Sequence, residues 1–181
     1  YLLLGSIPIT ENDKLFNRSI LINPDGDIIS IYDKIHMFDI TLKNGESYKE
    51  SDFYSPGSEL KITKVLGHSV GHTICYDLRY PKLYRALAKK GSQIIVVPSA
   101  FTHTTGKAHW HSLIKARAIE NGVFILAPNQ WGVNNEKRVT YGHTLIVDPW
   151  GETLAEAEDG EMIIAADLDL NRVSECQNAI P

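Results

Sequence analysis

The chain opens on short apolar runs separated by polar turns. Tyr1–Pro8, Phe16–Asn23 and Ile28–Tyr32 each read as a β-strand. Glu11–Lys14 is a polar turn, and Asn23-Pro24-Asp25-Gly26-Asp27 carries turn chemistry ahead of the third run. Lys61–Val65 and Ser69–Cys75 read as strands about Leu66-Gly67-His68. The period then changes. Tyr80, Leu83, Tyr84, Leu87 and Ala88 fall at i, i+3, i+4, i+7 and i+8, which predicts a helix with Pro81 in its first turn and Gly91 as its stop. Gln93–Pro98 is another strand. His109–Gly122 reads as a helix with Trp110, Leu113, Ile114 and Ala118 on one face. Val123–Pro128, Tyr141–Val147, Thr153–Ala157 and Met162–Leu168 read as strands, with Asp148-Pro149-Trp150-Gly151 turning one pair. Thr41–Gly57, Ser99–Lys107 and Gln130–Thr140 show neither period and read as loops. Asn44-Gly45 and Ser55-Pro56-Gly57 punctuate the first of these.

This order predicts one α/β domain over residues 1–181 with a mixed sheet. Two helices are few for so much strand. A second covering layer is expected from another sheet, from further chain or from another subunit. Tyr1–Ile7 already looks like the middle of a buried strand, and Ala179-Ile180-Pro181 ends without a polar tail, so a piece of a longer chain is expected. The net charge of −4, with no basic run, gives no support for nucleic-acid binding. No apolar stretch is long enough to span a membrane. Two cysteines, Cys75 and Cys176, make no disulfide framework, which points to a reducing compartment, the cytoplasm.

Three residues stand out chemically. Cys75 sits where a strand ends and a helix is about to begin. Unpaired N–H groups and the positive end of a helix dipole favour a thiolate at such a place. Its plainer reading is a small buried hydrophobe. Lys34, at the end of a strand, otherwise marks a solvated edge. Glu50, in a long loop, is otherwise a solvated charge. His72 faces the side opposite Gly71 and Thr73 and reads as a packed, hydrogen-bonded histidine. Cys176 reads as structural. Arg79 and Arg117 suit carboxylate pairing or substrate holding equally. The seven histidines lack ligand spacing such as H-E-x-x-H, so no metal or other cofactor is expected.

Taken together these segments resemble the nitrilase superfamily of carbon–nitrogen hydrolases. Tyr32-Asp33-Lys34-Ile35-His36-Met37-Phe38-Asp39 is similar to its lysine motif, and Gly71-His72-Thr73-Ile74-Cys75-Tyr76-Asp77-Leu78-Arg79-Tyr80-Pro81 to its cysteine motif. Glu50, within Tyr48-Lys49-Glu50-Ser51, matches an accessory glutamate. Pro98–Phe101, Thr105-Gly106, Ala108–Trp110, Arg117–Glu120, Tyr141–Thr144 and Val147–Gly151 continue the likeness, so it covers essentially the whole chain. The run Asn135-Glu136-Lys137-Arg138 resembles the deaminated glutathione amidase branch, with the omega-amidase branch as close neighbour.

The resemblance implies a four-layer αββα sandwich, here lacking an N-terminal strand–helix unit. It also implies a homodimer or larger homo-oligomer packed through the helices after Cys75 and from His109. It implies a Glu–Lys–Cys mechanism. Cys75 attacks an amide carbonyl, Lys34 and the Tyr76 N–H hold the oxyanion, and a thioester follows as ammonia or amine leaves. The general-base glutamate of that triad falls ahead of Tyr1, and Glu50 is the accessory one. Thr104, Thr105, His109 and Trp110 are expected along the pocket, with core packing the alternative for Trp110. The implied substrate is a small carboxylate-bearing amide such as deaminated glutathione. An omega-amidase, an N-carbamoyl amino acid amidohydrolase and a nitrilase remain alternatives, as does an inactive module that keeps only the fold.

Overall fold

The computed structural model describes every residue except 43, 44, 46, 136, 137 and 181. Asn44 of the Asn44-Gly45 turn, Glu136 and Lys137 of the branch-marking run and the terminal Pro181 therefore lie outside the described residues. Strands β1 (Leu2–Glu11), β2 (Lys14–Ile22) and β3 (Ile28–Asp33) form an antiparallel three-stranded sheet in that order. The β1–β2 turn is Asn12-Asp13, both left-handed (φ 50° and 59°), the twist a two-residue hairpin prefers. In the next turn the Asn23 side-chain oxygen accepts the N–H groups of Asp25 and Asp27 at 3.0 and 2.8 Å. Arg18 reaches across from β2 to both Asp33 oxygens at 2.7 and 2.9 Å, which pins the end of β3 one residue before Lys34.

Two short strands follow, β4 (Asp39–Thr41) and β5 (Ser47–Lys49), paired with one another. The expected loop over 41–57 thus holds half of a hairpin and a 3-10 turn at Glu50–Asp52. Neither strand buries a face, so no apolar alternation betrayed them. The main sheet comprises β6 (Ile62–Val65), β7 (His68–His72), β8 (Ile94–Val96), β9 (Phe124–Ala127), β12 (Leu145–Val147) and β13 (Thr153–Glu156). β7, β8 and β9 run parallel at its centre, and the rest are antiparallel. Helices α1 (Pro81–Lys89) and α2 (His103–Asn121) cover one face, and Leu87, Ile95, Trp110, Ile114 and Ile125 are fully buried between them. The three-stranded sheet covers the other face, where the Thr63 hydroxyl donates to Ser30 at 2.7 Å. The outside of that sheet carries exposed Ile29 and Ile31.

The structure corrects four other expectations. Helix α2 starts six residues before His109. Its first turns are rich in Thr and contain Gly106, weak formers whose apolar pattern is faint. The 130–140 loop is a hairpin of β10 (Trp131–Asn135) and β11 (Arg138–Tyr141), exposed along most of its length. β11 ends at Tyr141, so the strand expected over 141–147 is reduced to β12. Met162–Leu168 is not a strand: it has no pairing partner among the described residues, and Ile163 is almost wholly exposed. A third helix, α3 (Asn171–Ala179), follows it. Its Gln177 amide donates to the Asn121 and Gly122 carbonyls at 3.1 and 3.3 Å, against the left-handed Gly122 that ends α2.

Gly106 decides how α2 meets β11. A methyl there would lie 2.4 Å from the Tyr141 Cβ. Replacing it by Ala gains about 1 kcal/mol of helix propensity and costs about 1–3 kcal/mol of overpacking. Overpacking wins, because the clash falls on the rigid root of Tyr141. Gly106→Ala is expected to lower stability by about 1–2 kcal/mol in denaturant titration. Equal midpoints would contradict the close approach.

Candidate active site

The site lies beyond the carboxyl ends of the parallel strands, where α/β sheets leave a crevice. After β7 the chain stays extended to Ile74 and turns at Cys75, which has φ 47° and begins a 3-10 turn, Cys75–Arg79. The α-helix itself starts only at Pro81, so a tight turn and not an α-helical N-terminus follows the thiol. The Cys75 N–H donates to the Pro98 carbonyl at 3.0 Å, tying the turn to the end of β8. Tyr76 is the second residue of that turn, where the helix itself gives its N–H no acceptor.

Lys34 is 2% exposed, which overturns the solvated-edge reading. Its N–H donates to Asn17 and its carbonyl accepts from Gly57, at 2.9 and 2.8 Å. Its ammonium pairs with the Glu50 carboxylate. Glu50 also accepts the Phe38 N–H at 2.7 Å and the Asn17 amide at 3.0 Å. Lys34, Glu50, Cys75 and Tyr76 all line one cavity of about 320 Å³. Phe101 and Arg138 add to its wall. The Asn129 side chain braces that wall, accepting the Phe101 N–H at 3.0 Å and donating to the Gly142 carbonyl at 2.6 Å.

Of the four residues expected along the pocket, Thr105 lines it, while Thr104, His109 and Trp110 are not among its lining residues. Trp110 is fully buried in the core and its indole N–H donates to the His143 carbonyl at 2.7 Å. His109 is exposed, its Nδ1 3.3 Å from Arg79. Arg79 lies over the faces of Tyr76 and Phe101, and burial lowers its pKa. Arg117 is a core residue, donating to the Leu78 carbonyl at 2.9 Å. Cys176 sits on α3, and burial pushes its thiol up. Asn17 and Arg138 carried no signal in the apolar pattern. Asp77 and His36 lie within the two quoted motifs and could have been found there. Among the described residues no group of three or more His, Cys, Asp or Glu is arranged to hold a metal ion.

His72 points away from the helices, toward the three-stranded sheet. It is 1% exposed, its Nε2 lies 3.1 Å from the Thr63 hydroxyl, and burial pushes its pKa down to about 4, with Lys61 adding to the shift. Between pH 6.5 and 4 the unfolded chain takes a proton that the folded chain refuses. Stability is therefore complete above pH 6.5 and falls as pH drops through this window, by about 3 kcal/mol in all. His72→Gln is expected to flatten that slope in denaturant titrations. An unchanged slope would show that His72 is not the titrating group.

A cysteine, a lysine and a glutamate line one cavity of an α/β sandwich, the residue types that the nitrilase resemblance brought together. The comparisons agree. The carbon-nitrogen hydrolase family model matches residues 1–178. Omega-amidase NIT2 of Xenopus tropicalis is 39% identical over 100% of this chain and 66% of its own length. Deaminated glutathione amidase of Yersinia enterocolitica is 40% identical over 98% of this chain and 64% of its own. The crystal structure of the C. elegans NitFhit protein superposes with a TM-score of 0.92 at 35% identity, covering 99% of this chain and 44% of that one. The chain belongs to the carbon-nitrogen hydrolase family. It spans just under two thirds of the length of these curated relatives.

Proposed function

We propose that the protein hydrolyses the carbon–nitrogen bond of a small carboxylate-bearing amide, with Cys75 as nucleophile. The observation that carries this is the convergence of Cys75, Lys34 and Glu50 on one cavity. The Cys75 thiolate attacks the amide carbon, forming a C–S bond and an oxyanion. Lys34 and the Tyr76 N–H stabilise that charge. Collapse breaks the C–N bond, the nitrogen takes a proton and leaves as ammonia, and a thioester remains. Water attacks the thioester, the C–S bond breaks, and the acid departs as Cys75 is regenerated.

Glu50 already accepts from Lys34, Asn17 and Phe38, so its role is to fix Lys34. Proton transfer falls to the further glutamate that the resemblance puts ahead of the Tyr1 position. Arg138, on the cavity wall with a guanidinium nitrogen 3.5 Å from the Ala100 carbonyl, suits a substrate carboxylate. The named activities of the relatives support omega-amides and deaminated glutathione as first substrates. Both cysteines are free, which suits a reducing compartment such as the cytoplasm. Among the described residues no helix is long and apolar enough to cross a membrane. The exposed side of the helical layer, including Ile119, suits a homodimer contact. The test is ammonia release by the full-length protein from α-ketoglutaramate, deaminated glutathione, an N-carbamoyl amino acid and a simple nitrile. Turnover of an amide with a free carboxylate is expected. Turnover of the nitrile alone would contradict the assignment.

A further inference from the structure

Asp77 is fully buried and does not line the cavity, yet its carboxyl accepts four hydrogen bonds. The Tyr32 hydroxyl and the Ile74 N–H donate to Oδ2 at 2.7 and 2.9 Å. The His36 N–H and its Nδ1 meet Oδ1 at 3.0 and 2.7 Å. Because Oδ1 is an acceptor here, the His36 ring proton sits on Nδ1. The ring also stacks on Tyr80, with centroids 3.5 Å apart. Tyr32 and His36 flank Lys34 on either side, and Ile74 immediately precedes Cys75. One carboxyl therefore holds the lysine segment and the cysteine turn together.

The turn needs such a hold. Cys75 has φ 47°, a left-handed conformation that a non-glycine residue keeps only where its surroundings impose it. The Asp77 bond to the Ile74 N–H closes the turn across Cys75. Burial, with the Asp77 charge beside it, raises the Tyr32 pKa far above its usual range, so the phenol stays a donor.

The geometry points to Asp77 as a positioning residue that sets Lys34 and Cys75 in mutual register. It acts through two backbone anchors, the N–H groups of His36 and Ile74. The inference rests on the amidase reading above, and it can fail separately. Asp77→Asn keeps the volume but offers one acceptor and one NH₂ group. Whichever way the amide turns, one backbone anchor faces a donor. Tyr32→Phe removes a buried hydrogen bond and leaves both anchors intact.

Asp77→Asn in the full-length protein is expected to lower kcat about 10²-fold with KM changed less than about threefold. Tyr32→Phe is expected to hold kcat within about threefold while its denaturation midpoint falls about as far as that of Asp77→Asn. A merely structural role would lower activity only in proportion to the unfolded fraction in both variants. A kcat for Asp77→Asn within about threefold of wild type, or a Tyr32→Phe kcat as low as that of Asp77→Asn, overturns the inference. Tyr32→Phe keeps the proposal open to refutation if Asp77→Asn does not fold, since a loss of about tenfold or more there also overturns it. Iodoacetamide alkylation of Cys75 separates this failure from that of the amidase reading. If the wild-type protein turns over no amide, the amidase reading falls. The positioning role then stands only if Asp77→Asn slows alkylation by about tenfold or more and Tyr32→Phe does not.

Discussion

Cys75→Ala is expected to reduce ammonia release by about 10⁴-fold or more, with substrate binding largely kept. The reason is that the proposed covalent route disappears. The oxyanion donors remain, but no protein atom attacks the carbonyl. The variant keeps the fold, since Cys75 is only half-buried and its backbone bond to Pro98 does not depend on the side chain. Its effect on stability is expected to be within about 1 kcal/mol. Steady-state kinetics and a denaturation curve check both halves. Ammonia release at the wild-type rate would remove Cys75 from the reaction.

Lys34→Gln is expected to lower kcat about 10²–10³-fold, the usual cost of losing one preorganised oxyanion donor. Here activity and stability fall together. Lys34 is 3% exposed at its side chain and Glu50 13%, so removing the ammonium leaves a largely buried carboxylate without its countercharge. Asn17 and the Phe38 N–H still donate to it, which tempers the loss. A destabilisation of about 3 kcal/mol is expected, at the lower end for a broken buried pair. The double variant Lys34→Gln/Glu50→Gln is expected to recover stability but not activity, because the neutral amide no longer needs a partner cation. Recovery of activity in the double variant would show that Lys34 serves only as a counterion.

The parts of this fold that bury one face were legible in the residue pattern. The first three strands show as apolar runs, with β3 alternating against the main sheet, α1 carries its apolar stripe, and Asn23 and Gly122 punctuate where turn and cap chemistry require them. The segments that misled have no such face. β4, β5, β10 and β11 are short pairs with mostly exposed side chains, so pairing there leaves no mark in the pattern. Met162–Leu168 shows the reverse failure, since apolar residues suggested a strand that finds no partner among the described residues. At the site, Cys75, Lys34 and Glu50 were legible as types in ordered motifs. Their burial was not, because a buried ammonium and a solvated one read alike until the partner carboxylate is seen. Asp77 stood in the quoted cysteine motif, but its role did not show there, as all but one of its four donors are far along the chain.

The covalent step can be observed directly. Full-length protein is mixed with its amide substrate, quenched in acid within the first turnovers and digested, and the Cys75 peptide is weighed by mass spectrometry. The account predicts that this peptide gains the mass of the substrate's acyl group and loses it when the quench is delayed. An unmodified Cys75 peptide during active turnover, or an acyl group carried on Cys176 instead, would contradict it.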